Sequence, residues 1–178
     1  MFIDESGLLL LPVVRRTWSR RGQTPVLRHV GRNHKKASAI AALCVSPDRR
    51  EVRLYFQLLV DENFTSVTVL GFLKQLARHF ADPLLLVWDR AKIHRGLNTA
   101  VFLDVMQWRQ FHFPPYAPEL NPVEYVWSYL KTNPLANLAY PDVALLARAG
   151  RRHARALQHK RGLLRSFIRH SPLPLRLC

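Results

Sequence analysis

Asp4 and Asp89 are acidic residues placed where a sheet protein can carry a functional carboxylate. Each follows a short apolar run, residues 1–3 before Asp4 and residues 84–88 before Asp89, so each is predicted to end a β-strand. Strands of an α/β sheet bring functional side chains to their C-terminal ends, where ligands bind. If the two strands are parallel neighbours, the two carboxylates lie side by side. The alternative is that each Asp only forms a turn or a helix cap.

A third acidic residue, Glu124, lies in the first turn of a helix predicted to start at Asn121. Asn121 is a good N-cap, Pro122 suits the first helical position, and Glu124 would be the third residue of the helix. This is also the pattern of a capping box, in which Glu124 would serve only the helix end. Glu124, Trp127 and Lys131 share one helical face, because their spacings are four and three residues. The sequence therefore places Glu124 near the sheet edge, with a cation below it on the same face.

The elements that must position these acids follow from the apolar periodicity. Two apolar runs around a turn at residues 46–50 predict a hairpin. Helical spacing after Thr65 or Ser66 predicts a helix that reaches Phe80. The unbroken run at residues 84–88 suits a central strand covered on both faces. Further helices are predicted over residues 95–107, 121–131 and 141–169, the last with a break near Gly162, and a strand over residues 111–113. This order predicts a mixed α/β sheet covered by helices.

The composition bounds the class of protein. The chain has 178 residues, of which 48% are hydrophobic, so one domain with a substantial core is expected and a disordered chain is excluded. No apolar run approaches the ~18 residues of a membrane span, and the acidic N-terminus is unlike a secretory signal. Two cysteines, Cys44 and Cys178, exclude a disulfide framework and indicate a reducing compartment. The histidines and cysteines lack zinc-ligand spacing.

The charge balance points to a polyanionic partner. Lys and Arg number 27 against 12 acidic residues, for a net charge of +15, and most of the cations are Arg. The planar guanidinium of Arg pairs well with phosphate oxygens. Such a charge predicts nucleic-acid binding, and the alternative is a solvated basic surface.

Three segments carry a resemblance to a known family. They are FIDESG at residues 2–7, VWDRAKIH at residues 87–94 and PPYAPELNPVEYVWSYLK at residues 114–131. Together they resemble the catalytic domain of DDE transposases, and the nearest group is the bacterial insertion-sequence branch of the mariner-like superfamily. TWSRRGQTP at residues 17–25 also matches. The 34 residues between Asp89 and Glu124 suit that branch.

The resemblance implies a fold, a metal site and a reaction. The fold is an RNase H-like mixed sheet with helices on both faces, and the first strand looks clipped because Asp4 stands so near Met1. Asp4, Asp89 and Glu124 would be the catalytic, metal-binding carboxylates. Two Mg²⁺ or Mn²⁺ ions, which prefer oxygen ligands, would clamp the attacking and leaving oxygens of a phosphodiester. DNA would first be cleaved, and the freed 3′-end would then attack target DNA. Glu5 should face away from Asp4, since successive strand side chains alternate.

Basic residues around these motifs are expected to contact DNA. Residues 12–36 are predicted to form a long loop, which in the related transposases contacts DNA and the partner subunit; an exposed charged linker is the alternative. Its cations are Arg15, Arg16, Arg20, Arg21, Arg28, Arg32, Lys35 and Lys36. Arg90 and Lys131 are predicted phosphate contacts, and His94 either contacts DNA, orients the site or packs at a helix start. Later in the chain, Arg148, Arg152 and Arg155 share a helical face, either facing phosphates or plainly solvated.

The whole chain, residues 1–178, is expected to be a single catalytic domain without the N-terminal helix-turn-helix region of full-length relatives. It is then either a decayed fragment or the second half of a frameshifted transposase, which a separate N-terminal half would complete. DNA, as transposon ends and target, is the expected partner, and a homodimer is expected in the DNA complex, in the bacterial cytoplasm and away from membranes. The alternatives are a non-catalytic DNA-binding remnant and a general RNase H-like nuclease, against which residues 114–131 argue.

Overall fold

A five-stranded mixed sheet forms the centre of the protein. The computed structural model describes residues 1–28 and 35–178. Strands β1 to β3 pair antiparallel in sequence, and β1, β4 and β5 pair parallel, so the spatial order is β3-β2-β1-β4-β5. The predicted mixed α/β architecture is confirmed. The strands are β1 (Phe2–Leu9), β2 (Lys36–Val45), β3 (Val52–Val60), β4 (Leu85–Trp88) and β5 (Arg109–His112).

Strand β1 is longer than predicted, and Asp4 does not end it. The strand continues to Leu9 and pairs with β2 along its whole length, from Phe2 opposite Leu43 to Leu9 opposite Lys36. The polar residues that follow Asp4 hide this extension from a reading of apolar runs, because their backbone groups find partners on β2. The expectation of a clipped strand that stops at Asp4 is therefore wrong in its C-terminal limit.

Helices cover both faces of the sheet, as predicted. Helices α1 (Ser66–Ala77) and α2 (Leu97–Val105) pack on one face around Ile3, Ile40 and Trp88. Helices α3 (Val123–Thr132), α4 (Val143–Gln158) and α5 (Arg161–His170) pack on the other face around Leu8, Leu58 and Trp127. None of the helices in residues 1–28 and 35–178 combines the length and the apolarity that crossing a membrane requires.

Local chemistry explains where several of these elements begin. Thr65 caps α1 in a capping box with Thr68, in which each backbone N–H donates to the other hydroxyl. Asp142 Oδ1 accepts from the Leu145 N–H at 2.7 Å and starts α4. The break before α5 falls at residues 159–160, slightly before the predicted position near Gly162.

The two outer strands of the sheet differ. Every residue of β5 is exposed. On β3, two backbone carbonyls receive side chains from α4: Arg151 Nη2 donates to Leu58 O at 3.1 Å and Gln158 Nε2 donates to Leu54 O at 2.8 Å. Helix α4 can lie this close because Gly150 faces Leu8 and Leu58, where a Cβ would meet side-chain carbons at 2.9 and 3.0 Å.

The segment before β2 is irregular over its described residues, as predicted for 12–28. Its start is held by Asn137, which exchanges hydrogen bonds with Arg15: the Arg15 N–H donates to Asn137 Oδ1 at 2.8 Å and Asn137 Nδ2 donates to Arg15 O at 3.0 Å. The rest of the predicted loop reaches residues 29–34, with Arg32, which lie outside the described residues. Lys36 already belongs to β2.

Candidate active site

Asp4, Asp89 and Glu124 line one surface cleft of about 450 Å³. They come from three different elements: the middle of β1, the residue after β4, and the first turn of α3. Phe2 pairs with Val87 in the parallel pair of β1 and β4. Asp4 lies two residues after Phe2 and Asp89 lies two residues after Val87, so the two acids lie at the same level of the sheet. The predicted juxtaposition of the two strands is confirmed, and it arises where β4 stops and β1 continues.

Asp4 has a strongly perturbed ionisation. Burial raises its pKa most, and the negative charge of Glu124 raises it further. The Trp127 indole opposes this, since Nε1 donates to Asp4 Oδ2 at 2.8 Å, while Glu5 and Asp89 add smaller upward contributions. The net effect raises the pKa of Asp4 to about 7. Burial and the charges of the neighbouring acids therefore outweigh the Trp127 hydrogen bond, although Arg90 and Arg95 also line the cleft.

Helix α3 is fastened along β1, which fixes the position of Glu124. Asn121 Nδ2 donates to Ile3 O at 3.0 Å, and further along the helix Lys131 Nζ donates to Ser6 Oγ at 2.7 Å. Trp127 and Lys131, which the spacing predicted on one face of α3, thus both contact β1.

The start of α3 differs from the predicted capping box. Pro122 occupies the N-cap position and makes no capping hydrogen bond of its own. Asn121 Oδ1 accepts from the Val123 N–H at 3.2 Å, but the Asn121 amide is turned mainly toward the sheet. Glu124 is exposed to the cleft, so its carboxylate is not used at its own helix end.

His94 is a positioning residue that connects two acids. Its ring is buried and stacks on Trp88, with centroids 4.3 Å apart and planes inclined by 2°. Nδ1 lies 2.9 Å from Asp89 Oδ1, and Nε2 lies 3.0 Å from Glu5 Oε1. Burial lowers the pKa of His94, but the hydrogen bond and charge of Glu5 and the charge of Asp89 outweigh it, so the net pKa is raised.

The placement of His94 bears on the predictions for His94 and Glu5. The buried ring, with both nitrogens facing carboxylates, supports the predicted alternative in which His94 orients the site or packs locally, and a direct DNA contact by His94 stays a prediction. Glu5 points away from Asp4 toward His94, in line with strand alternation. The Glu5–His94 pair escaped the sequence analysis because its members are 89 residues apart and no local motif joins them.

The three acids fit a divalent ion in chemistry rather than in ready-made geometry. Carboxylate oxygens are the donors that Mg²⁺ and Mn²⁺ prefer, and a cation would relieve the repulsion that raises the pKa of Asp4. However, across residues 1–28 and 35–178 no three His, Cys, Asp or Glu side chains are grouped closely enough to hold one ion. Convergence on one shared metal position is therefore not present, and the site would have to tighten around the ion.

Comparison with known proteins identifies the family. The sequence profile described as DDE superfamily endonuclease matches residues 1–146, most of the chain. The chain belongs to the DDE superfamily of endonucleases. A search of curated proteins finds no significant match.

Solved structures agree with this family in fold. The Mos1 transposase paired-end complex with left transposon end is similar with a TM-score of 0.68 and 17% identity, over 96% of this chain and 51% of that chain. The Mos1 strand transfer complex gives a TM-score of 0.59 and 16% identity, over 98% and 56%. The catalytic domain of Mos1 mariner transposase gives 0.51 and 13%, over 98% and 84%. The DDE endonuclease chain thus spans about half the length of the Mos1 chain in the paired-end complex, and the RNase H-like fold is confirmed.

Predicted basic contacts of this DDE endonuclease lie in different settings. Arg90 lines the cleft together with Arg95, which the sequence analysis did not select and whose Nη2 donates to Arg90 O at 2.5 Å. Lys131 is partly buried against Ser6, and its hydrogen bond to Ser6 holds α3 on β1. A contact of Lys131 with DNA would have to compete with this bond. The loop cations Arg15, Arg16, Arg20 and Arg21 are exposed, and Arg15 Nη1 donates to Thr132 O at 2.9 Å.

Helix α4 carries a separate basic surface. A shallow depression on it is lined by Arg148, Arg151, Arg152 and Arg155, together with Tyr140, Leu145 and Ala149. Among the described residues, no carboxylate lines the depression. Beside the depression, burial is the main cause that lowers the pKa of His153, and the charges of Arg152 and Lys160 lower it further. The surface therefore has a positive field of its own.

Proposed function

We propose that this DDE endonuclease cleaves DNA phosphodiesters and transfers the freed 3′-end to target DNA during transposition of an insertion sequence. The observation that carries the proposal is the cleft that Asp4, Asp89 and Glu124 line from three elements, with the pKa of Asp4 raised to about 7. Membership of the endonuclease family and the likeness of the fold to the Mos1 strand transfer complex support it.

Asp4, Asp89 and Glu124 are the residues that would hold Mg²⁺ or Mn²⁺, and two ions are proposed. Structures of the Mos1 paired-end complex with Mn and with Mg support this choice of metals. When bound, the metal lowers the pKa of an attacking water or 3′-hydroxyl and stabilises the leaving oxygen.

Neighbouring protein groups orient the carboxylates of the cleft. Trp127 fixes one oxygen of Asp4, and His94 together with the Ala91 N–H, 2.9 Å away, fixes Oδ1 of Asp89. Each acid thus keeps its second oxygen for an outside ligand. Arg90 and Arg95 bring positive charge to the same cleft and would orient the DNA phosphates.

The partners follow from the same proposal. DNA is the substrate, as transposon ends and target, and two copies of the chain would act together on it. A separate or frameshift-fused N-terminal half would recognise the element ends; the greater length of the Mos1 chain supports this. A bacterial cytoplasmic setting completes the proposal.

The test is nicking of a supercoiled plasmid by the purified chain with Mg²⁺ or Mn²⁺. We expect metal-dependent nicking that Asp89→Asn and Glu124→Gln abolish. Glu119→Gln is the matched control, because Glu119 is an exposed acid beside the cleft that does not line it. Equal nicking by all four proteins would refute the assignment.

The alternative function is that of a non-catalytic DNA-binding remnant. It is favoured by one observation: in the described residues no three His, Cys, Asp or Glu side chains are close enough to hold one metal ion. A metal titration separates this remnant from the enzyme. At 100 times its dissociation constant, Mn²⁺ should stabilise the folded enzyme by about 2.7 kcal/mol, and Asp89→Asn should weaken this effect. DNA binding with a melting temperature indifferent to Mn²⁺ would identify the remnant.

A further inference from the structure

Tyr116 has an unusual conformation at the mouth of the cleft. Its side chain is fully exposed, at 102% of the reference area, and its backbone φ of 58° lies in the left-handed region. A bulky residue with positive φ is uncommon and costs free energy. The exposed ring gains no burial to offset that cost, which points to a role outside the folding of the chain.

The residues around Tyr116 restrict the backbone that carries the ring. Pro114 and Pro115 precede it and Pro118 follows two residues later, so the backbone on both sides is restricted. Tyr also has few side-chain rotamers to lose when a ligand binds. The ring is therefore presented to the cleft from a restricted backbone and loses little side-chain freedom on binding.

The cleft beside the ring is divided by chemistry. Asp4, Asp89 and Glu124 supply carboxylates, Arg90 and Arg95 supply cations, and Phe113 with the prolines and alanines of the lining supplies apolar surface. Its volume of about 450 Å³ is that of a site for a small ligand. One nucleotide fits such a space, whereas a stacked duplex does not enter it.

We propose that Tyr116 is a stacking platform for one unpaired nucleobase, next to the phosphate that the carboxylates act on. The inference rests on the proposed function and names the form of DNA that this site takes. Stacking on an aromatic ring is tolerant of sequence, since every base has a π-face. It also repays part of the cost of removing a base from the duplex. Arg90 and Arg95 lie where they neutralise the adjoining phosphates.

Two variants separate stacking from a contact by the hydroxyl group. Tyr116→Phe keeps the ring and removes the hydroxyl. Tyr116→Asn removes the ring and suits the left-handed backbone, which Asn adopts readily. Tyr116→Gly, which relieves the positive φ outright, is a second ring-free variant. Trp18→Asn is the control for loss of an exposed aromatic ring outside the cleft, since Trp18 is 100% exposed and does not line it.

The experiment measures binding in Ca²⁺ to two probes. One is a blunt DNA duplex, and the other is the same duplex with one unpaired 3′ 2-aminopurine nucleotide. The unmodified protein should bind the extended duplex at least about fivefold more tightly, in line with the stacking energy of one base, and should quench the 2-aminopurine fluorescence. Tyr116→Phe and Trp18→Asn should keep the preference and the quenching, whereas Tyr116→Asn and Tyr116→Gly should lose both.

Equal binding of the two duplexes by the unmodified protein would overturn the inference, as would loss of the preference in Tyr116→Phe. Because the assay measures binding rather than cleavage, its result is independent of plasmid nicking. A preference that depends on the ring without any nicking would leave the platform standing and refute the proposed catalysis. Nicking that Asp89→Asn abolishes, with no preference for the extended duplex, would do the reverse.

Discussion

Trp127 Nε1 donates a hydrogen bond to Asp4 Oδ2 at 2.8 Å and joins residues 123 positions apart in the chain. The contact ties helix α3 to strand β1 at the level of the cleft. It also lowers the pKa of Asp4 against the larger effects of burial and Glu124. The same bond therefore helps to hold the helix that carries Glu124 and favours the ionised form of Asp4.

Trp127→Phe tests this bond. Loss of a hydrogen bond to a charged group should lower the free energy of unfolding by about 1.5–3 kcal/mol at pH 8, where Asp4 is largely ionised. At pH 5 Asp4 is largely protonated, so the loss should be smaller. Urea denaturation at the two pH values measures the difference. Trp108→Phe is the control, because Trp108 is buried and its Nε1 has no partner within the described residues; an equal pH dependence in both variants would contradict the role of Trp127.

The stability of the metal-free protein should depend on Asp4. Its pKa is about 7 in the folded protein against an ordinary 3.8, so between these values the folded state binds more protons than the unfolded chain. The free energy of unfolding should therefore fall as pH rises from about 4 to about 7, by at most about 4 kcal/mol. Asp4→Asn should flatten this slope and stabilise the protein at pH 8.

Above pH 7, Mg²⁺ should restore part of the stability lost between about pH 4 and about pH 7, since a cation replaces the proton. Thermal melts across pH, with and without Mg²⁺, measure both effects. Glu119→Gln should keep the slope. A slope that persists in Asp4→Asn would show that other groups produce it.

His94 should affect cleavage without affecting DNA affinity. His94→Gln removes the bridge between Glu5 and Asp89, and loss of such a supporting contact typically costs about 10–100-fold in activity. Since the ring is buried, the affinity for duplex DNA and its salt dependence should stay unchanged. Fluorescence anisotropy and plasmid nicking on the same preparation measure both. A large loss of DNA affinity in a folded His94→Gln protein would support the direct DNA contact.

Two basic surfaces should contribute separately to DNA binding. If about six phosphates are neutralised, the logarithm of affinity should fall with the logarithm of salt at a slope near −5. Replacing Arg15, Arg16, Arg20 and Arg21 by Ala should flatten the slope and leave metal binding unchanged. Replacing Arg148, Arg152 and Arg155 by Gln should reduce it by at most about 2.7 units if all three contact phosphates.

Lys74→Gln with Arg78→Gln is the control for that experiment, because both are exposed at the end of α1 on the opposite face of the sheet. Salt titrations on two unrelated duplexes measure the slopes. Phosphate contacts carry no sequence information, so both duplexes should behave alike. A preference for one duplex that survives high salt would contradict this account.

Much of the site could be predicted because its signals are local. Asp89 follows an unbroken apolar run, and Glu124 lies in a long motif with a clear helix start. Asn121 Oδ1 accepts from the Val123 N–H at the helix start, as predicted, but Asn121 Nδ2 also donates to Ile3 O, in a strand that local rules do not see. Asp4 was placed at a strand end because Glu5, Ser6 and Gly7 break the apolar run, although backbone pairing with β2 carries the strand on.

The side chains that hold Asp89 could not be predicted from spacing. The His94–Glu5 contact depends on how β1 and the turn after β4 meet in three dimensions, and neither residue belongs to a periodic pattern. Arg95 could not be predicted from spacing either, because it lines the cleft only through the fold of the turn that carries it. Whether three carboxylates close on one point depends on tenths of an ångström in side-chain placement, and sequence patterns do not contain that information.

Arg151 and Gln158 have a consequence for how this protein behaves in a crowded solution. Strand β3 is rich in β-branched, aromatic and aliphatic residues, and an outer strand of that kind is a template on which other chains can add. The two side chains occupy the carbonyls of Leu58 and Leu54 that an incoming strand would use. Arg151 also places a positive charge beside that edge. Loss of both side chains is therefore expected to favour edge-to-edge association of this protein through β3.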